Sequence, residues 1–163
     1  MDIVYIIIGI VWFVLDQLTK QWVQASFTLG ESLPVIPNVF HLTYILNKGA
    51  AFGILANQRL FFLCIVAVLL IALWYFRRYI LNGDVWTKLG TTLLVSGALG
   101  NGWDRYHLGA VVDFFDFRVW PIFNVADIGI CVGVVLLAIH LWRTPHEGCL
   151  LYTSPSPRDS TSS

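Results

Sequence analysis

The chain has 163 residues, 57% of them hydrophobic and 12% charged, whereas an ordinary soluble domain carries roughly 25% charged residues. Ten Lys and Arg offset ten Asp and Glu, so the formal net charge is zero and no overall basic field favours nucleic acid. Cys64, Cys131 and Cys149 show neither a CxxC nor a close Cys/His spacing, which argues against a disulfide scaffold and against structural zinc.

The apolar residues lie in long blocks, as lipid-embedded helices require. The first predicted span covers Ile3 to about residue 22 and carries Asp16 and Lys20 in its last turns. It lacks a basic leader and ends in Asp16-Gln17-Leu18-Thr19-Lys20 rather than in a small-residue cleavage site, so it reads as a retained helix and not as a signal peptide. Residues 23–58 follow, with Gly30, Pro34, Pro37, Gly49 and Gly53. There Phe40, Leu42, Tyr44 and Leu46 alternate with Val39, His41, Thr43 and Ile45, which predicts short strands at the membrane surface. Asn47-Lys48-Gly49 reads as a turn leading into Ala50-Ala51-Phe52.

A second span is predicted over about residues 60–78, bounded by Arg59 and by Arg77-Arg78. The third, about 85–103, is uncharged from Leu89 to Trp103 and ends at Asp104-Arg105; the fourth, about 121–142, is interrupted only by Asp127. The expected fold is therefore an all-α polytopic membrane protein of four transmembrane helices with a small β-rich segment between helices one and two. Residues 1–148 form one membrane-embedded domain in this reading. The tail 149–163 (Cys149-Leu150-Leu151-Tyr152-Thr153-Ser154-Pro155 onward) looks like a translated sequencing adapter or a disordered extension, and is assigned no chemistry. Arg77, Arg78 and Lys88 in the second-to-third connection, with Arg143 beyond the fourth span, favour cytoplasmic termini, although Lys48, Arg59, Arg105 and Arg118 oppose that bias.

With this topology Asp16, Asp104, Asp113 and Asp127 collect at one outer interface. Ionisable groups in such positions are costly in lipid and usually face the bundle or water. Asp113, in the loop between the last two spans, and Asp127, where the fourth enters, form a pair that resists double ionisation. One shared proton leaves one carboxylate to activate water and the other to protonate or hydrogen-bond a carbonyl. By position alone the two are equally ordinary interfacial groups, and Asp116 competes with Asp113. Asn124 either caps the fourth helix or orients Asp127. Asn101, Asp104 and Arg105 share a helical face, and Asp16 and Lys20 stand one turn apart; interfacial ion pairs explain both sets as well as a site does. Asn47 is a turn cap or a binder of extended peptide, with Gly49 leaving space for the chain. His107 and His140 lie at opposite ends of the bundle, so no haem, metal or other cofactor is expected.

These motifs, Asp16-Gln17-Leu18-Thr19-Lys20, Asn47-Lys48-Gly49-Ala50-Ala51-Phe52, Gly100-Asn101-Gly102-Trp103-Asp104-Arg105, Val111-Val112-Asp113 and Phe123-Asn124-Val125-Ala126-Asp127, are together similar to lipoprotein signal peptidase (signal peptidase II), a bacterial inner-membrane aspartic peptidase family, and occur in its order. The resemblance implies that Asp113 and Asp127 are catalytic and that Asp16, Lys20, Asn47, Gly49, Asn101, Asp104, Arg105 and Asn124 bind substrate or support the site. It further implies a diacylglyceryl-modified prolipoprotein as substrate, cleavage immediately before the lipid-modified Cys, and a periplasmic cradle in the 23–58 segment. Membrane lipids and inhibitors of the globomycin class are the other implied partners. The Asp113 to Asp127 loop looks shorter than in many relatives, and Gly102-Trp103 replaces a more aliphatic-looking stretch. Two other readings compete: a small proton-coupled transporter, and a noncatalytic assembly protein that uses the charged residues for helix contacts.

Overall fold

The computed structural model describes residues 3–49 and 59–143. The Ala50-Ala51-Phe52 stretch, the rest of the outer segment to residue 58, and the tail 149–163 lie outside the described residues. The elements run α1 (Ile3–Ser26), β1 (Ser32–Ile36), β2 (Phe40–Asn47), α2 (Arg59–Tyr75), α3 (Arg77–Asn82), α4 (Val85–Leu108), β3 (Val111–Asp116) and α5 (Val125–Arg143). Helices α1 and α5 are long and apolar enough to cross a membrane, and α2 is apolar but shorter.

Several boundaries differ from expectation for local reasons. The second block breaks at Phe76, where Arg77 folds back: its guanidinium lies 4.5 Å from the Trp74 ring centroid and donates to the Trp74 carbonyl at 2.9 Å. Helix α4 starts on an Asp84 cap, whose carboxylate accepts from the Thr87 amide at 2.9 Å. It runs past Asp104 and Arg105 until Gly109, at φ 72°, turns the chain out and donates to the Arg105 carbonyl. Only Gly adopts that left-handed conformation without penalty. Helix α5 begins four residues late, because the chain from Pro121 to Phe123 is drawn onto β3: Phe123 accepts from the Phe115 amide at 2.9 Å and donates back at 3.2 Å.

Helix α4 is central, packing on α5, α1 and α2. Its seam with α5 is made by Gly90 and Gly133; a Cβ on Gly133 would come within 2.6 Å of the Gly90 carbonyl oxygen. Such approach of two backbones is how helices associate where lipid removes the hydrophobic drive between them. The outward faces are apolar: Ile7, Ile10 and Leu18 of α1 are exposed, and no residue of α2 is buried. Surfaces of this kind fit hydrocarbon rather than water.

At one end of the bundle sits a three-stranded antiparallel sheet, ordered β1-β2-β3. The expected strands in the 23–58 segment are present as β1 and β2, with Ser32 opposite Thr43 and Pro34 opposite His41. Strand β3 is an addition to the expected loop between the last helices. It pairs Ile45 with Asp113 and Asn47 with Val111, across a bulge between Leu42 and Ile45. Val112 and Phe114 project from it into a small core with Val23 and Val125. Apolar residues on either side of Asp113 thus anchor the strand and hold its carboxylate at the helix ends.

Candidate active site

Three asparagines organise Asp113 and Asp127. An amide side chain can present either its oxygen or its NH2, and here an obligate donor decides each case. Asn47 Oδ1 accepts from the Gly49 amide at 2.8 Å, so its NH2 donates to Asp113 Oδ2 at 3.0 Å. Asn124 Oδ1 accepts from the Asp127 amide at 2.9 Å, so its NH2 faces Asp113 Oδ1, the Val112 carbonyl and Asn101 Oδ1, at 2.7, 3.2 and 3.0 Å. Asn101 Oδ1 accepts from Lys20 Nζ at 3.0 Å, leaving its NH2 to donate to Asp127 Oδ1 at 2.7 Å. A backbone N–H or an ammonium can only donate.

Asn124 and Asp127 also exchange bonds reciprocally, since the Asn124 amide donates to Asp127 Oδ2 at 3.1 Å. This is a capping box at the start of α5, with Asn124 at the cap and Asp127 three residues on. The two roles foreseen for Asn124 are divided within one buried residue: its side chain caps α5 and its backbone N–H holds the Asp127 carboxylate.

Beneath this layer lies a buried ion cluster. Lys20, 1% exposed, places its ammonium 2.9 Å from both Asp16 Oδ2 and Asp104 Oδ2, and its third donor serves Asn101. Asp16 Oδ1 accepts from the Ala126 amide at 2.8 Å, in the first turn of α5, where the helix dipole favours an anion. Asp104 Oδ2 accepts from the Val112 amide at 3.1 Å and so ties α4 to the strand that carries Asp113. Gly100 admits this arrangement, because a Cβ there would stand 2.5 Å from Asp16 Oδ2. Gln17, assigned no role from the sequence, bonds Asp16 Oδ2 and Asp104 Oδ1, each at 3.1 Å. Its place next to Asp16 in the first motif was the available signal.

Burial, and then the negative charge of Asp127, push the Asp113 carboxyl up to about 7, against the lowering effect of the Asn47 and Asn124 hydrogen bonds. Asp113 is 2% exposed, so its neutral form persists to a higher pH than that of a free carboxyl. Arg105 lies over the Phe62 ring, 4.5 Å from the centroid, and its charge acts through space on Asp127, Asp113 and Asp104. Asp116 does not join them: Thr43, at 2.7 Å, and Arg118, at 3.0 Å, hold its carboxylate on the sheet. Asp113, rather than Asp116, is the strand carboxylate linked to Asp127 through Asn124. Among the described residues no group of three His, Cys, Asp or Glu side chains could hold a metal ion.

A family model described as signal peptidase (SPase) II matches residues 8–143. The chain is 43% identical over 147 residues to the lipoprotein signal peptidase of Halothermothrix orenii, covering 89% of this chain and 99% of that protein. It is 47% identical over 142 residues to that of Clostridioides difficile strain 630, covering 84% and 93%. The chain belongs to the lipoprotein signal peptidase family. A solved structure described as a bacterial membrane enzyme, determined by the in meso method at 1.9 Å resolution, superimposes with a TM-score of 0.80 at 36% identity, covering 89% of this chain and 96% of that one. A second, at 2.3 Å, gives 0.79 at 37% identity.

As a member of the signal peptidase II family the chain is a protease of the membrane, and membership implies cleavage of prolipoprotein signal peptides. The site residues picked from the sequence converge: Asp16, Lys20, Asn47, Asn101, Asp104, Asp113, Asn124 and Asp127 form one continuous hydrogen-bonded set. Gly49 enters it through its amide, at φ 91°.

Proposed function

We propose that this chain is an aspartic endopeptidase that removes the signal peptide from diacylglyceryl-modified prolipoproteins, cutting immediately before the lipid-modified Cys, with Asp113 and Asp127 as its catalytic dyad. The observation that carries this reading is the pair of carboxylates bridged by one buried residue, Asn124, whose side-chain NH2 meets Asp113 and whose backbone N–H meets Asp127. Asp127 takes N–H donors on both oxygens, Asn101 on one and the Asn124 backbone on the other, and is assigned the role of base. Asp113, held near 7, is the member that keeps the proton.

In the proposed reaction a water between the carboxylates gives a proton to Asp127 as its oxygen bonds to the scissile carbonyl carbon. Asp113 protonates the carbonyl oxygen, giving a tetrahedral diol. Collapse breaks the C–N bond: Asp127 passes its proton to the departing amine, the diol returns one to Asp113, and the dyad is restored. No covalent intermediate is needed. Arg105 and the amide donors favour negative charge developing at this spot, while Lys20, Asp16, Asp104 and Gln17 hold the donors in place.

The same reading places α1, α2 with α3, α4 and α5 as four crossings of the bacterial inner membrane, within one domain over residues 1–148. The sheet and dyad stand at the outer, periplasmic face. Arg77, Arg78, Lys88 and Arg143 stand at the opposite end, which supports cytoplasmic termini. Asn47 and Gly49 border the approach of the extended peptide, and a globomycin-class peptide would compete there.

The test is cleavage of a diacylglyceryl-modified precursor in detergent by wild type, D113N and D127N, with folding checked by thermal unfolding. Each substitution is expected to lower kcat by about 10³-fold, the scale of general acid and base catalysis. Rapid turnover by both folded variants would overturn the assignment, and ion flux through vesicles without cleavage would favour the transporter reading.

A further inference from the structure

At the end of the bundle opposite the sheet, the turn from α3 into α4 and the last turn of α5 enclose a cleft of about 500 Å3. Arg78, Tyr79 and Asn82 of α3 line it, with Gly83 and Asp84 of the turn and His140 of α5. None of them enters the proposed chemistry. A chain of side chains crosses the cleft: His140 Nδ1 stands 3.0 Å from Asp84 Oδ1, and His140 Nε2 stands 2.7 Å from the Tyr79 hydroxyl. The Thr87 amide and hydroxyl also meet Asp84 Oδ1, each at 2.9 Å. These contacts all fall on one oxygen; no described residue donates to Oδ2, and the Asp84 side chain is 46% exposed. The hydrogen bond from the Thr87 amide, helped by those from His140 and the Thr87 hydroxyl, lowers the Asp84 carboxyl to about 2, so it stays ionised. Arg78 supplies the opposite charge, and no described carboxylate pairs with it. Arg78 and Asn82 share a face of α3, one turn or about 6 Å apart along the axis. The cleft therefore carries a cation and an amide on α3 and a carboxylate at the head of α4.

The level of the cleft narrows its ligand. Trp74, Tyr75 and Trp142 are largely exposed at this end, as aromatic side chains are where helices leave hydrocarbon for the lipid headgroups. A phosphodiester suits the guanidinium of Arg78 and the NH2 of Asn82. Asp84 Oδ2 calls for a donor, and a purely anionic group would meet repulsion there. Phosphoethanolamine carries both parts, with its ammonium two carbons beyond the ester oxygen of its phosphate. We infer that this cleft binds the headgroup of a phosphatidylethanolamine from the adjoining leaflet, its phosphate on Arg78 and Asn82 and its ammonium on Asp84. Phosphatidylcholine has the same charges but no N–H to give Asp84. The inference goes beyond the peptidase reading and needs only that this end of the bundle meets a membrane interface.

The experiment titrates the full chain in detergent with phosphatidylethanolamine, phosphatidylcholine and phosphatidylglycerol, all with dioleoyl chains, and reads bound lipid by native mass spectrometry. Wild type is expected to bind the ethanolamine lipid about tenfold more tightly than the choline lipid, the scale of one hydrogen bond between charged groups. R78Q should weaken both by about tenfold and leave their ratio unchanged. D84N, which keeps a capping side chain for α4, should bring the ethanolamine lipid down to the choline level. Should D84N fail to fold, D84S, with another capping residue, takes its place. Equal affinities in wild type, an unaltered preference in the Asp84 variant or no loss in R78Q would each overturn the inference. So would phosphatidylglycerol binding as tightly as the ethanolamine lipid, since the cleft would then read phosphate alone. Turnover is not part of this measurement, so a chain that binds the lipid as expected but cleaves no precursor would remove the peptidase reading and leave the inference standing.

Discussion

Helices α2 and α4 invert the rule that holds in water. Helix α2 is a run of Leu, Ile, Val and Phe, and none of its 17 residues is buried. Helix α4 is rich in Gly and Thr, and twelve of its 24 residues are buried. In lipid, apolar side chains gain nothing by leaving the solvent for the protein interior, whereas small and polar ones gain close backbone contact and hydrogen-bonded partners. Identity is consequently constrained on α4, where Thr92, Ser96, Gly97, Asn101 and Asp104 each meet a specific neighbour. On α2 the requirement is only to be apolar.

Substitutions can break or sharpen this contrast. The largest effect is expected for Lys20→Met, which leaves Asp16 and Asp104 buried without their cation: a loss of about 3–5 kcal/mol in stability, read by thermal unfolding in detergent. Stability equal to wild type would show that the cluster tolerates an apolar centre. Next comes Gly133→Val at the α4/α5 seam, where overpacking is expected to cost about 1–3 kcal/mol. An unchanged melting temperature would mean that the backbones are not held as close as the contacts imply.

A further effect is expected from pH. Asp113 has its ordinary value of 3.8 in the unfolded chain and about 7 in the fold, so the folded form binds the extra proton between those values. Its contribution is full below pH 3.8, declines as pH rises, and is gone above about 7. Unfolding of wild type and D113N followed from pH 4 to pH 8 should therefore show a downward slope in wild type that the variant lacks. Parallel curves would remove Asp113 as its source. The peptidase rate should also fall as pH rises through about 7, when the dyad loses its proton. The least effect belongs to Ile71→Ala on α2, 65% exposed, for which a change within about 0.5 kcal/mol is expected. A large loss there would mean that α2 has a protein partner on that face.

The amino-acid pattern exposes some of this architecture and hides the rest. The apolar blocks of α1, α2 and α5, and the convergence of Asp16, Asp104 and Asp127 on one end, follow from span length and antiparallel order. Strand β3 escaped notice because Val111-Val112-Asp113-Phe114-Phe115-Asp116 doubles its apolar residues instead of alternating them. Five of the six residues are buried, and burial on both faces erases the period of two. The partnership of Lys20 with Asp16 is legible at one helical turn. Its bond to Asn101, 81 positions away, depends on how α1 meets α4. Gln17 projects from α1 beside Asp16, and its acceptors on α4, the Gly100 carbonyl and Asp104 Oδ1, come only with the approach of the two helices.

The fixed orientation of the three asparagines carries one more consequence. Each amide turns hydrogens, never its oxygen, toward a carboxylate, so none of them offers Asp113 or Asp127 a base. A proton on the pair has no sideways exit toward Lys20 and can leave only through water or a bound peptide. In the proposed reaction, a substrate that fills the mouth closes the water route, so the proton stays with the pair until turnover is complete.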